Sequence, residues 1–338
     1  MAEEHYVIIG NGPAANEAAV TLRDQAPEAR ITVIGRERTG YYRPDLLPAF
    51  IADRVSEENL LVHPPSFYKE KGIKLRIGQE VMSVDFSCRD LKLEHKELVH
   101  FDGLIIAVGG KPRIPDPLQV FEELMLPLKT VADARAWKQQ LARIESVLII
   151  GGDLTSLSFT KALLSMKKRV SFVIDSGCFW PVRVTPALSQ EITELLRSRG
   201  VDVIPGSKLK QVSRISDELI RVETDSGSLD VGAVGAFFGL VPDVKFLAHS
   251  GLHIERGILV DEFLQTPFEG VYAAGDCAQV FHPELHDYWV SIGFANAKSL
   301  GRAAALNLTG SRKPVRAVSE NIFTMEGISL NTSWWTRF

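Results

Sequence analysis

Gly10-Asn11-Gly12-Pro13-Ala14-Ala15 sets two glycines and an alanine in the spacing GxGxxA. That spacing suits phosphate binding. The first glycine permits a tight turn, and the second lets backbone approach a pyrophosphate because it has no Cβ. The small third residue lets a helix pack closely on a sheet. A helix N-terminus then turns free N–H groups and its positive dipole end on the phosphates. Glu37, after Ile34-Gly35-Arg36, is the acid placed to hold ribose hydroxyls, one position later than the usual spacing. A second glycine turn opens with Gly151-Gly152, but Asp153 and Ser156 stand where its second and third small residues belong. A carboxylate there meets a diphosphate with like charge. Aspartate is also a good N-cap, able to satisfy the helix N–H groups itself. Two readings of this stretch remain open. In one it binds a nucleotide in a tilted pose, using Asp175 or Ser176 and the loop near Gly239; in the other it persists as scaffold or docking surface.

The elements that position these residues follow from the pattern of apolar runs. Tyr6-Val7-Ile8-Ile9 predicts a strand entering the first glycines. A helix to about Gln25 and a strand at 31–34 follow. Val147 to Gly152 begins the same pattern again, with an Ala/Leu-rich helix to about Lys168 and a strand at 170–174. Each is a βαβ unit with glycines at its first strand-to-helix turn. Leu104-Ile105-Ile106-Ala107-Val108 predicts a strand ended by Gly109-Gly110, and Pro112 to Pro117 reads as a crossover. Phe237-Phe238-Gly239 and Val271-Tyr272-Ala273-Ala274-Gly275 end in the same way. A helix is expected from Val290 to Leu308 and a strand at 321–324. The fold class is therefore α/β, with two Rossmann-like dinucleotide-binding domains. The first domain is split (1–113 and 246–309) around an inserted second domain (114–245), and a segment at 310–338 follows.

Composition narrows the class. The 338 residues are 45% hydrophobic and 24% charged, the balance of a soluble globular chain of two or three domains. A net charge of -4 gives no reason to expect nucleic acid or an anionic membrane as partner. The apolar run 231–241 is too short to span a bilayer and reads as a buried strand. Cys88, Cys178 and Cys277 lie far apart with no CxxC pair, which argues against a local redox disulfide or a cysteine metal site. Few cysteines and no charged-then-apolar leader lead to the expectation of a cytoplasmic protein. His282 and His286 flank Pro283 without a third ligand, so a surface loop is expected and no metal. Lys167-Lys168-Arg169 closes the second helix, where cations offset a helix dipole.

Several motifs in order carry a family resemblance. Tyr41-Tyr42-Arg43-Pro44 with Leu46-Leu47, Ile73 to Gly78, Leu104 to Pro115 and Val271 to Cys277 resemble the pyridine nucleotide–disulfide oxidoreductase superfamily. The branch resembled holds rubredoxin reductases, ferredoxin reductases and the flavin part of nitrite reductases. The resemblance spans about residues 5 to 330. It implies FAD held by Gly10, Gly12, Pro13, Ala14, Ala15, Glu37, Ala107, Gly109, Gly275 and Asp276, with Arg43 and Pro44 flanking the flavin. It implies a helix starting near Trp289-Val290 and aimed at the flavin, and no catalytic side chain, since the flavin carries the chemistry. Gly151, Gly152, Asp153, Asp175 and Gly239 are the corresponding NAD(P) positions, with NAD(H) and NADP(H) both open. The family's glutamate on the second helix is Ser158 here. Tyr41-Tyr42-Arg43 stands where disulfide reductases carry cysteine, which disfavours thiol chemistry. The expected activity is electron transfer between NAD(P)H and a protein carrier such as rubredoxin, ferredoxin or an iron–sulfur subunit. The alternative is an FAD-bearing subunit of a larger complex, whose second domain no longer takes nicotinamide. The family continues into a C-terminal interface domain, of which Ile322 to Met325 resembles the start. Trp334, Trp335 and Phe338 are then either a patch for a partner subunit or aromatics tucked on the body.

Overall fold

The computed structural model describes residues 3–174, 186–290, 293–316, 320–325 and 328–332. Its first strands are short Val/Ile-rich runs that end where glycine takes over. They are β1 (His5–Ile9), then α1 (Pro13–Gln25), β2 (Arg30–Gly35), β3 (Ile73–Ile77) and β4 (Gly103–Ile106). The chain crosses through β5 (Gly110–Pro112) and β6 (Met125–Leu126) into α2 (Val131–Leu141), β7 (Ser146–Gly151), α3 (Leu154–Ser165) and β8 (Arg169–Ile174). It continues through α4 (Pro186–Ser198), β9 (Asp202–Pro205) and β10 (Ala233–Phe237). It returns by β11 (Leu240–Pro242) to β12 (Val271–Ala273) and α5 (Phe294–Leu308).

Two five-stranded parallel sheets result. One has the order β12-β4-β1-β2-β3, the other β6-β10-β7-β8-β9. The orders β4-β1-β2-β3 and β10-β7-β8-β9 match, so the second sheet repeats the first over four strands; the edge strand comes last in the chain in the first sheet (β12) and first in the second (β6). Each sheet also carries a three-stranded antiparallel ribbon before its β4 or β10 strand, at residues 81–100 and 209–231. Strands β5 and β11 pair antiparallel, Lys111 opposite Val241, and tie the outgoing crossover to the returning one.

Burial explains why these segments read as continuous apolar runs. Strands of a parallel sheet are covered on both faces, and all five residues of β1, β10 and the inner part of β2 are buried. Helix α1 lies against α5 at unusually short range: a Cβ on Gly301 would stand 2.1 Å from the Ala14 carbonyl oxygen. Trp137, Phe159 and Phe172 fill the core of the second unit. Thr130 and Asp133 form a capping box that starts α2 directly after Lys129.

Three expectations need correction. The helix foreseen from Val290 begins at Phe294, because Asp287–Val290 is a strand paired antiparallel with Ala278–His282. The helix foreseen to about Lys168 stops at Ser165, since Lys167 adopts a φ of +59° that no helix interior accepts. Lys168 then donates from Nζ to the Ile144 carbonyl at 2.7 Å. The single strand foreseen at 321–324 is one half of a hairpin, Glu320–Met325 with Ile328–Thr332. Among the described residues no helix is long and apolar enough to cross a membrane, and no cluster of His, Cys, Asp and Glu is arranged to hold a metal. His282 ends a strand and His286 sits in a turn at φ +48°.

Candidate functional site

A cavity of about 580 Å³ opens along the C-terminal ends of β1, β2, β4 and β12, within the size range of small-molecule and cofactor sites. That is where ligands bind on open parallel sheets. Gly10 makes the turn out of β1 at φ +122°, so close to β4 that a Cβ would lie 2.1 Å from the Ala107 carbonyl oxygen. Gly12 is the N-cap of α1, and a Cβ there would meet no protein atom within 4 Å. The two glycines thus do different work: one admits a neighbouring strand, the other leaves space. Pro13 and Ala14 also face the cavity, whereas Ala15 is buried in the core between helix and sheet.

Asn16 fixes this loop from below. Its Nδ2 donates to the carbonyl oxygens of Asn11 (2.9 Å) and Gly12 (3.0 Å), and its Oδ1 accepts from the Tyr68 hydroxyl. Sequence reasoning passed it over; a buried Asn one turn into an Ala-rich helix is the signal that marks it.

Glu37 lines the cavity beyond β2 and accepts a 2.8 Å hydrogen bond from the Tyr42 hydroxyl. Burial, and then the Glu37 charge, push the Tyr42 phenol far above its ordinary pKa, which keeps it a donor. Pro44 faces the cavity; Arg43 does not, and instead pairs with Asp45 and stacks 4.8 Å over the Phe294 ring. Ala107 and Gly109 contribute the β4 side.

Gly275 turns at φ +77° against Ala14, leading to Asp276, which opens on the cavity. Burial raises the Asp276 carboxyl above the ordinary aspartate range, while the Lys129 charge pulls the other way. Gly293, Phe294 and Ala297 bring the N-terminus of α5 to the same cavity. Lys129 is a wall residue that no sequence signal marked, being one cation in an irregular crossover. An ion pair of Arg36 with Asp243 at 2.7 Å joins the end of β2 to the strand-β11 crossover at the cavity rim. Cys277 is buried behind the wall, its thiol pushed up to about 11 by burial, and donates to the Ile106 and Ala274 carbonyls at 3.4 Å. It is a packing residue.

The second glycine turn has a different outcome. Gly151 (φ +105°) and Gly152 (φ +116°) turn out of β7, and Asp153 is the N-cap of α3. Asp153 Oδ1 accepts from the Ser156 N–H at 3.0 Å and Oδ2 from the Gly239 N–H at 3.2 Å. Burial pushes this carboxyl upward, against those backbone hydrogen bonds. The space beside Asp153 and Gly239 is about 150 Å³, and Pro44, Asp45 and Lys129 wall both it and the large cavity. Ser158 is half-buried on α3. Asp175 and Ser176 lie outside the described residues, as do Cys178, Trp334, Trp335 and Phe338.

Comparison with known proteins agrees with this architecture. The family model described as pyridine nucleotide-disulphide oxidoreductase matches residues 4–296. Putidaredoxin reductase of Pseudomonas putida is 29% identical over 91% of this chain and 75% of its own length. Rubredoxin-NAD(+) reductase of the same organism is 26% identical over 80% of this chain and 71% of its own length. A crystal structure of the ferredoxin reductase for the CYP199A2 system from Rhodopseudomonas palustris superposes with a TM-score of 0.86 at 25% identity, covering 93% of this chain and 78% of that one.

Proposed function

Because this chain belongs to the pyridine nucleotide-disulphide oxidoreductase family, we propose that it is an FAD-dependent oxidoreductase passing electrons from NAD(P)H to a protein carrier of the ferredoxin, rubredoxin or iron–sulfur type. The observation that carries the reading is the 580 Å³ cavity with a bare Gly12 N-cap at one wall and Glu37 and Asp276 at others. These residues fit a dinucleotide. The cradle above Gly12 is one that a side chain would fill, and the N–H groups of α1 are free to receive a pyrophosphate. FAD, when bound, accepts electrons as a hydride and releases them singly or in pairs. The chain's own residues supply the holding. Glu37, oriented by Tyr42, would hold ribose hydroxyls, and Pro44 and Arg43 would flank the flavin. Ala107, Gly109 and Gly275 let backbone line the cavity closely, and Asp276 would accept from the ribityl end. Lys129 sets a positive charge among Glu37, Asp153 and Asp276. We assign 1–113 and 246–309 to the FAD domain, 114–245 to the nicotinamide-nucleotide domain and 310–338 to a C-terminal segment. A cytoplasmic setting fits three widely spaced cysteines.

The names of the relatives support the carrier: putidaredoxin reductase and rubredoxin-NAD(+) reductase. The test is anaerobic. The yellow protein is mixed with NADH or NADPH at saturating concentration, then with an oxidised ferredoxin or rubredoxin. Flavin bleaching followed by carrier-dependent recovery of colour is expected. Failure of both nucleotides to bleach a flavin that dithionite bleaches refutes nicotinamide use. A second reading, in which the chain is an FAD-bearing subunit whose second domain takes no nicotinamide, is favoured by one observation: the Asp153 carboxylate already holds the N–H groups of Ser156 and Gly239.

A further inference from the structure

The two βαβ units are close geometric copies where they turn from strand to helix. At Gly10 and Gly151 φ is +122° and +105°, and a Cβ on either would lie 2.1 Å from a carbonyl oxygen, of Ala107 or of Phe237. Gly109 and Gly239 each follow those carbonyls by two residues, with φ of +65° and +80°. Two residues beyond Gly10 and Gly151 comes the helix N-cap, extended in both units: φ -86°, ψ -169° at Gly12, and φ -76°, ψ 177° at Asp153. The backbone thus matches at the strand exit and at the N-cap, although Gly152 between them takes a positive φ (+116°) that its counterpart Asn11 does not, and the side chain at the N-cap differs. Above Gly12 there is open cavity; at Asp153 a carboxylate occupies the equivalent place and bridges the N–H groups of Ser156 and Gly239.

On the reading of the second unit as a nicotinamide-nucleotide domain, we propose that Asp153 is a built-in occupant of the diphosphate position, holding the affinity for nicotinamide nucleotides low and uniform. A diphosphate entering this turn must displace the carboxylate from two N–H groups that it would itself use. It must also come to rest near a like charge in a narrow space. Lys129 lines that space and offsets part of the repulsion, so entry is weakened and not abolished. The penalty falls on the diphosphate alone. ADP-ribose, NAD+ and NADP+ share that group and differ elsewhere, so all three are weakened by the same factor. This outcome separates a carboxylate acting on the diphosphate from one acting on nicotinamide or on the 2′-phosphate.

The experiment measures equilibrium binding of ADP-ribose, NAD+ and NADP+ to the FAD-loaded protein and its Asp153→Gly and Asp153→Asn variants. Glycine suits an extended N-cap and is itself among the residues favoured there, so the fold is preserved. Asp153→Gly is expected to tighten all three ligands by about ten-fold or more, the scale of one like-charge contact at a partly screened site. Asp153→Asn keeps the volume, removes the charge and falls between. Unchanged, weakened or undetectable binding in both variants overturns the proposal, as does tightening confined to one ligand. Flavin bleaching by saturating NADH is read in the same samples. Its failure in every variant refutes nicotinamide use, whatever the ratio of binding constants shows.

Discussion

Gly12→Asp places in the first unit what the second already has. The added side chain starts in open space, since a Cβ at Gly12 meets nothing within 4 Å, and the backbone there (φ -86°, ψ -169°) suits any residue. Aspartate is a slightly better N-cap than glycine, so α1 gains a few tenths of a kcal/mol and the apoprotein does not lose stability. The loss falls on FAD. A carboxylate about 4 Å from a phosphate charge at an effective dielectric near 20 costs about 4 kcal/mol, close to three orders of magnitude in Kd. The assay has two arms: flavin content and Kd after reconstitution of the apoprotein, and thermal unfolding of the apoprotein. Gly12→Ala, which adds bulk without charge, is the control and should lose far less affinity. A Gly12→Asp protein that melts like its parent and keeps stoichiometric FAD with unchanged Kd refutes the phosphate cradle at α1.

Gly10→Ala and Gly151→Ala each force a Cβ onto a carbonyl oxygen at positive φ and should each destabilise by at least about 3 kcal/mol; unfolding free energies from denaturant titration within about 1 kcal/mol of wild type, roughly the scale of a typical point mutation, sink that account. The Asp276 carboxyl is raised by burial, so the folded state holds its proton more tightly than the unfolded chain. This group opposes folding as pH rises from the ordinary aspartate range through the raised folded value. Asp276→Asn apoprotein should therefore be more stable than its parent at neutral pH, with the gap closing as pH falls through that window; a gap independent of pH refutes the burial argument. Cys88 is exposed, whereas Cys277 is buried with its thiol near 11. An alkylating reagent at neutral pH should modify Cys88 in the native protein and reach Cys277 only on unfolding, as peptide mapping would show.

The sheets were legible because parallel strands buried on both faces must be apolar throughout, and because glycine marks each exit. The Tyr6 to Gly12 and Val147 to Gly152 repeats gave both units and their glycine turns directly. The start of α5 was not legible: Trp289-Val290 is apolar enough for either a strand or a helix, and the tertiary pairing with 278–282 decides. Lys129, Asn16 and Tyr42 were missed for a related reason. Lys129 reaches Glu37, Asp153 and Asp276 from other parts of the chain, Asn16 meets Tyr68 52 residues away, and Tyr42 reaches Glu37 across a loop whose shape is set by the fold. No local pattern encodes such a contact. Arg43 was legible as part of a motif, but its motif could not show that it supports Asp45 and Phe294 without facing the cavity itself.

The second unit shows why a departure from a motif can be read more sharply in structure than in sequence. By sequence, Asp153 is ambiguous, since drift of an unused loop and replacement of a ligand contact both put a non-glycine there. Drift relaxes the whole turn, because a residue that no longer meets a phosphate releases its neighbours from strain as well. Yet Gly151 still approaches Phe237 as closely as Gly10 approaches Ala107, Gly239 still adopts positive φ, and the α3 N-cap keeps the extended backbone of the α1 N-cap. The first two of these features, the close approach at Gly151 and the positive φ at Gly239, are costly for most residues and are retained. The turn is thus preserved around a carboxylate whose two oxygens take the N–H groups of Ser156 and Gly239. On the proposal made above, that pattern is the one expected of a turn still shaped for an anion, with the anion supplied from within the chain.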